Sequence, residues 1–162
     1  MKKLFVLVAF VICLLAIACN NDTNKPTDTS TDQTKEATAQ NLSNNIALTA
    51  NDQMQYNTIE INVKAGEKVT LTLKNIGTMP KQSMAHNFVL LKDGTDVTAF
   101  AKSALTAPDH IPANEPNIIV HTKLLGPGES DTIEFTVARG TYMFICSFPN
   151  HYQTMTGVLT AS

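Results

Sequence analysis

The sequence predicts an all-β sandwich with one short helical insertion, and three observations carry that prediction. Apolar residues recur at every second position in several short runs, clusters rich in Gly, Pro and Asn separate those runs, and a helical repeat occurs in one ten-residue stretch closed off by prolines. With 162 residues, 43% of them apolar, the chain has material for one domain with a core of its own and falls short of two.

Residues 1–18 open with Lys2 and Lys3, run apolar without a break from Leu4 to Ala18, and meet polar Asn20, Asn21 and Asp22 just past Cys19. This is the layout of a cleaved secretory signal, and the run is shorter than the ~20 apolar residues a spanning helix needs. The segment also resembles a bacterial lipoprotein signal, with small Ala18 before the cysteine. That resemblance implies lipidation of Cys19, which then becomes the first mature residue and anchors the chain to a membrane. Cys13 fits worse, because bulky Ile12 precedes it. Removal of Lys2 and Lys3 leaves 10 basic residues against 14 acidic, so the formal charge moves from -2 to -4 and nucleic acid is excluded as a partner.

After Cys19, residues 20–41 contain no aromatic, Val, Ile or Leu and are dominated by Thr, Asp and Asn, so they cannot repay the entropy of ordering. Residues 19–41 are expected to be a flexible tether with a reach of roughly 25 Å. The domain itself is expected over residues 42–162. Its strands are read from Ile59, Ile61 and Val63; from Val69, Leu71 and Leu73; from Ile133, Phe135 and Val137; and from Tyr142, Phe144 and Cys146. Turn clusters lie between them at 64–68, 74–80, 125–130 and 138–141. The helix is expected over 96–105, with Asp96 as its cap and Val97, Phe100, Ala101 and Leu105 as its buried stripe; Pro108 and Pro112 bar any extension.

Three cysteines occur in the chain: Cys13 leaves with the signal, Cys19 is acylated in this reading, and Cys146 remains alone in the domain. A solitary thiol outside the cytoplasm oxidises unless it is buried or occupied. Cys146 stands in CSFPNHYQTM, where Cys146, His151 and Met155 each offer a lone pair to a transition metal, and thiolate with thioether selects a soft centre. A further donor must come from another segment, and MAHNFVL at 84–90 offers His86. Two imidazoles and a thiolate with a weak methionine on the axis are the ligand set of a blue-copper electron-transfer site. Zinc is the rival metal, disfavoured because structural zinc sites take four strong donors and methionine is a poor one. Individually, Cys146 reads as a small buried hydrophobe and His151 as a surface residue; their joint spacing is what points to metal. His110 and His121 are assigned to the surface.

The stretches NDQMQYNT, MAHNFVL, HTKLLGPGESD and YMFICSFPNH, with the Met155 segment that follows, resemble the azurins, bacterial blue-copper cupredoxins, over residues 46–162. The resemblance implies a cupredoxin-like Greek-key sandwich holding one type 1 copper. In it His86, Cys146 and His151 are the equatorial ligands, Met155 is the axial one, and the Ala85 carbonyl stands opposite as a weak donor. It also implies that Asn87 ties the two ligand loops together and that the backbone amides of Asn87 and Phe148 donate to the Cys146 sulfur. Met54, Met79, Met84 and Phe148 would form an apolar docking patch around the edge of His151, whereas Met143 is read as packing. The chain departs from the family where Ala85 and Asn150 replace glycines, where Asn75 replaces a histidine, and where no cysteine remains for the family's disulfide.

The function implied is the carriage of single electrons between proteins of the cell envelope, such as cytochromes or reductases, by a monomer held at a membrane. A copper oxidase or nitrite reductase needs a second copper centre, for which four histidines in all are too few, and Cys146 is flanked by Ile145 and Ser147 where wiring to such a centre would place a histidine. Copper storage or delivery is the other alternative and favours exposed, exchangeable ligands over one mixed set drawn from two loops.

Overall fold

The computed structural model describes residues 42–162. The expected signal, the tether and the lipidation site Cys19 lie outside those residues. Nine strands form two sheets: β1 (Asn45–Asn51), β2 (Gln55–Tyr56), β3 (Glu60–Val63), β4 (Val69–Asn75), β5 (Val89–Leu91), β6 (Ile118–His121), β7 (Ser130–Phe135), β8 (Gly140–Ile145) and β9 (Thr156–Ala161). One sheet has the order β2-β1-β4-β7 and the other β3-β9-β8-β5-β6. Pairings β1 with β4 and β3 with β9 are parallel, and the rest are antiparallel. The chain crosses between sheets after β2, β3, β4, β6 and β7, in a Greek-key sandwich.

Alternation dictates the inner faces. In β4, Val69, Leu71 and Leu73 point inward while Thr70 and Thr72 stay half-buried. They meet Phe88, Leu90, Phe144, Leu159 and Leu48 between the sheets. The Phe88 and Phe144 rings stack with centroids 5.2 Å apart, and Tyr56 leans on Phe144 at 5.7 Å. Each such fully buried large side chain contributes about 1.5–3 kcal/mol of apolar burial. Cys146 and Met155, both expected at the site, belong to this same core and pack within it.

The helix, α1 (Val97–Ala104), is one residue shorter at each end than the expected 96–105. Asp96 caps it, its carboxylate accepting from the Ala99 N–H at 3.0 Å. The buried face is Phe100, Ala101 and Ala104; Leu105, expected in the stripe, is the C-terminal cap and 48% exposed. Phe100 packs with Val89, Leu91 and Ile145 in a second small core on the outer face of the five-stranded sheet. Ile59 also departs from expectation: β3 begins at Glu60, and Ile59 is 55% exposed. Its carbonyl takes the Val158 N–H at 2.8 Å, so its backbone joins the sheet while its side chain does not join the core.

Candidate metal centre

The ligand-bearing segments are each fixed by backbone bonds. His86 forms an isolated two-way bridge with Leu125, its N–H donating to the Leu125 carbonyl at 3.0 Å and its carbonyl accepting from the Leu125 N–H at 2.8 Å. Leu125 is braced in turn by Asn75, whose Nδ2 donates to its carbonyl at 3.1 Å. Thus Asn75, fully buried at the end of β4, supports the loop that presents His86. Cys146 follows β8, and its N–H donates to the Met155 carbonyl at 2.9 Å. His151 opens a 3₁₀ turn, His151–Gln153, and its carbonyl accepts the Met155 N–H at 2.7 Å. The turn requires a left-handed residue before it; Asn150 supplies φ 67°, a conformation asparagine tolerates better than most side chains. Ala85 is fully buried and lies outside the positive-φ residues, so its backbone makes no demand for glycine.

The donor atoms of His86, Cys146 and His151 all lie within 4.8 Å of one another. The Cys146 Sγ is 3.5 Å from Nδ1 of His151 and 4.0 Å from Nδ1 of His86, and the imidazole centroids are 5.0 Å apart. His86 and Cys146 are fully buried; His151 retains 3% exposure, so it is more covered than an exposed ligand edge would be. Met155 is fully buried beside them in the core.

Electrostatics decide which protons the site keeps. Burial lowers the His151 pKa to about 4, with His86 and His110 adding to the effect. Burial also lowers His86, opposed by the Asn51 carbonyl and by Asp52. The Nε2 of His86 is buried and faces that carbonyl without completing a hydrogen bond of normal geometry. Burial pushes the Cys146 thiol up to about 12, against the pull of the Asn87 and Phe148 N–H groups that face the sulfur. The centre therefore holds two neutral imidazoles with free lone pairs and a thiol whose ionisation needs a cation beside it. No carboxylate joins the group. Two nitrogens and a sulfur without oxygen suit copper by the chemistry of the donor set.

Asn87 crosses between the ligand segments: its Nδ2 donates to Ser147 Oγ at 2.8 Å and its Oδ1 accepts the Ser147 N–H at 2.9 Å. Met79 is 40% exposed, while Met54, Met84 and Phe148 are half-buried. Met54 abuts the ligand loop, its carbonyl accepting from Thr154 Oγ1 at 3.1 Å. Met143 is half-buried and lies on a groove of the five-stranded sheet, with Ile59 and Gly157.

Three residues escaped the sequence reading. Asp52 clamps the loop that carries Met79: its carboxylate accepts from Thr78 N–H at 2.8 Å, Thr78 Oγ1 at 3.0 Å and Met79 N–H at 3.2 Å, and these bonds hold its pKa below the usual value. Ile76, on that loop with Met79, is a 55% exposed apolar side chain that the expected patch omits. His110 is a correction. Assigned to the surface with His121, it is half-buried and sets its ring edge-on against Phe148 at 5.1 Å, whereas His121 is exposed. Gly77 and Pro80 marked the 74–80 turn, and Pro108 and Pro112 only barred extension of the helix; nothing local signalled that the first packs on Asp52 or that the second brings His110 to the Cys146 loop.

Residues 43–162 match the family described as copper binding proteins, plastocyanin/azurin family. The chain is 40% identical over 122 residues to an azurin of Achromobacter denitrificans, covering 71% of this chain and 82% of that one. It is 39% identical over 117 residues to the outer membrane protein H.8 of Neisseria gonorrhoeae, covering 68% of this chain and 63% of that relative. The crystal structure of dithionite-reduced auracyanin from Roseiflexus castenholzii superposes with a TM-score of 0.68 at 39% identity, covering 75% of this chain and 98% of auracyanin.

Proposed function

This chain belongs to the copper-binding plastocyanin/azurin family, and from that premise we propose a tethered envelope carrier of single electrons, whose copper would be held by His86, Cys146 and His151, with the Met155 thioether and the Ala85 carbonyl as weaker donors. The observation that carries the reading is the convergence of two imidazoles and a thiol within 4.8 Å inside a dry core. Copper, when bound, supplies the one-electron Cu(I)/Cu(II) couple. The protein's part is to hold the donors still. Burial excludes water, Asn87 locks the His86 and Cys146 segments together, and the N–H groups of Asn87 and Phe148 stabilise negative charge on the sulfur.

His151 is the exit for the electron, with Phe148, Met54, Met79 and Met84 forming the docking patch for cytochromes or reductases. The role makes and breaks no bonds, so the protein is a carrier and not an enzyme. Storage or delivery fits less well, because all three strong donors are buried and a metal could exchange only by opening the core. An exported chain anchored through a lipid on Cys19, with residues 19–41 as tether, accords with the relative named outer membrane protein H.8. A monomer suits a carrier that must meet two partners in turn.

Loading with Cu(II) is expected to give an intense visible band that a reductant bleaches reversibly, and Cys146→Ser to abolish it in a folded domain. An unchanged band in Cys146→Ser refutes the ligand assignment. Cys19→Ser is expected to release the protein from the membrane fraction; continued association would refute the lipid anchor.

A further inference from the structure

We propose that His110 is a positioning residue for the metal centre, wedging the Phe148 ring against His151 and so fixing the distance of the Phe148 N–H from the Cys146 sulfur. The proposal rests on the copper reading above and assigns a role to a histidine outside the ligand group.

His110 closes a short 3₁₀ turn, Pro108–His110, in which Asp109 and His110 adopt φ of 50° and 57°. Two successive left-handed residues, neither of them glycine, persist only where their surroundings hold them. Here the holding contacts are visible. The His110 N–H donates to the Ala107 carbonyl at 3.0 Å, and its ring Nδ1, facing the Ala104 carbonyl at 3.2 Å, must carry the proton and donate. The ring is thereby pinned to the end of α1.

From that anchor His110 reaches both residues after Cys146. Its carbonyl accepts the Ser147 hydroxyl at 2.7 Å, and Ser147 Oγ in turn accepts from Asn87 Nδ2 at 2.8 Å, a continuous chain of bonds into the His86 segment. Its ring meets Phe148 edge-on, with planes at 80°, and Phe148 leans on His151 with centroids 4.8 Å apart. Phe148 is therefore held between two imidazoles, one a metal ligand and one not. Its N–H faces the sulfur, so displacement of the ring toward the space His110 occupies draws that donor away. A weaker bond to the thiolate favours the oxidised state of a copper-thiolate centre.

The test separates ring from backbone. His110→Asn removes the ring and keeps a residue that tolerates the left-handed conformation; His110→Gln repeats the removal with a longer amide. Partial loss of one hydrogen bond to the thiolate is expected to shift the oxidised-to-reduced ratio about three- to tenfold toward oxidised in both variants. Amide exchange at Phe148 in the metal-free protein is expected to accelerate in the same two variants. An unchanged potential and unchanged Phe148 exchange in these ringless variants overturns the proposal. Wild-type protein without a thiolate-copper band would defeat the copper reading instead, while the metal-free exchange comparison would still decide whether His110 positions Phe148.

Discussion

Asn87→Ala removes the side chain that bonds across the His86 and Cys146 segments, and its cost follows from the two hydrogen bonds that the truncation breaks. These bonds are 2.8 and 2.9 Å long, and both Asn87 and Ser147 are buried, at 0% and 2% exposure. Truncation leaves the Ser147 N–H without a partner and without water, which costs about 1–3 kcal/mol, and loses a second bond worth about 1 kcal/mol. The sum is about 2–4 kcal/mol, or a fall in Tm of about 8–16 °C for a domain of this size. Urea and thermal unfolding of the metal-free protein measure it. Pairing with Ser147→Ala in a double-mutant cycle, which reads only the Nδ2–Oγ bond, is expected to give a coupling of about 1 kcal/mol. A loss below about 0.5 kcal/mol, or strict additivity of the two variants, would refute the claim that this pair fastens the loops.

Metal binding is expected to expel the Cys146 proton, because the thiol titrates only at about 12 while His151, at about 4, is already neutral. Between about pH 6 and pH 9 the apparent affinity for Zn(II) or Cu(I) should therefore rise about tenfold per pH unit, with one proton released per metal, as calorimetry in buffers of different ionisation heat would show. The same groups set the acid limit of the metal-free fold. The His151 pKa is depressed from its ordinary 6.5, so the stability it contributes is whole above pH 6.5 and is lost as pH falls through about 4. Gly157→Ala should destabilise by about 1–3 kcal/mol in urea unfolding, since the new Cβ would sit 2.6 Å from the Ile59 carbonyl, which is held by the Val158 N–H, and would also collide with Phe144. Asp52→Ala should free the Thr78 and Met79 amides, seen as faster hydrogen exchange there with no change at Leu71; in wild type the same release should occur only as pH falls below the ordinary carboxylate range.

The strands that were legible are those with one face in the core. Val69, Leu71 and Leu73 alternate with threonines and announce β4 directly. The three residues of β5, Val89–Leu91, are all buried because α1 covers the outer face of their sheet, and a continuous apolar triplet carries no period from which to read a strand. Ile59 imitates the alternation of its neighbours, yet the strand starts one residue later. At the site, Cys146 and His151 were legible because they are close in sequence and chemically distinctive, and His86 because imidazoles are scarce here. Asp52 and His110 were not, since Asp52 acts on the 74–80 turn and His110 on the Cys146 loop, both through contacts made only on folding. Those contacts are made between segments 26 to 38 positions apart, and no local spacing encodes them.

The donors reach the centre on separately braced segments, and every brace is a bond within the protein. Leu125 holds His86, Met155 holds Cys146, Phe148 holds His151, and Asn87 joins the first two through Ser147. None of these bonds is to a metal, so a change of one charge at a bound copper would break none of them, and little rearrangement would oppose transfer in either direction. The groups that respond to that charge are then the two N–H donors facing the sulfur. They are not equally fixed. Asn87 is fully buried and bonded through both ends of its side chain, whereas Phe148 is half-buried on a loop and steadied chiefly by the rings on either side of it. Substitutions that alter the potential without touching a ligand should therefore cluster around Phe148, and those around Asn87 should lower stability first.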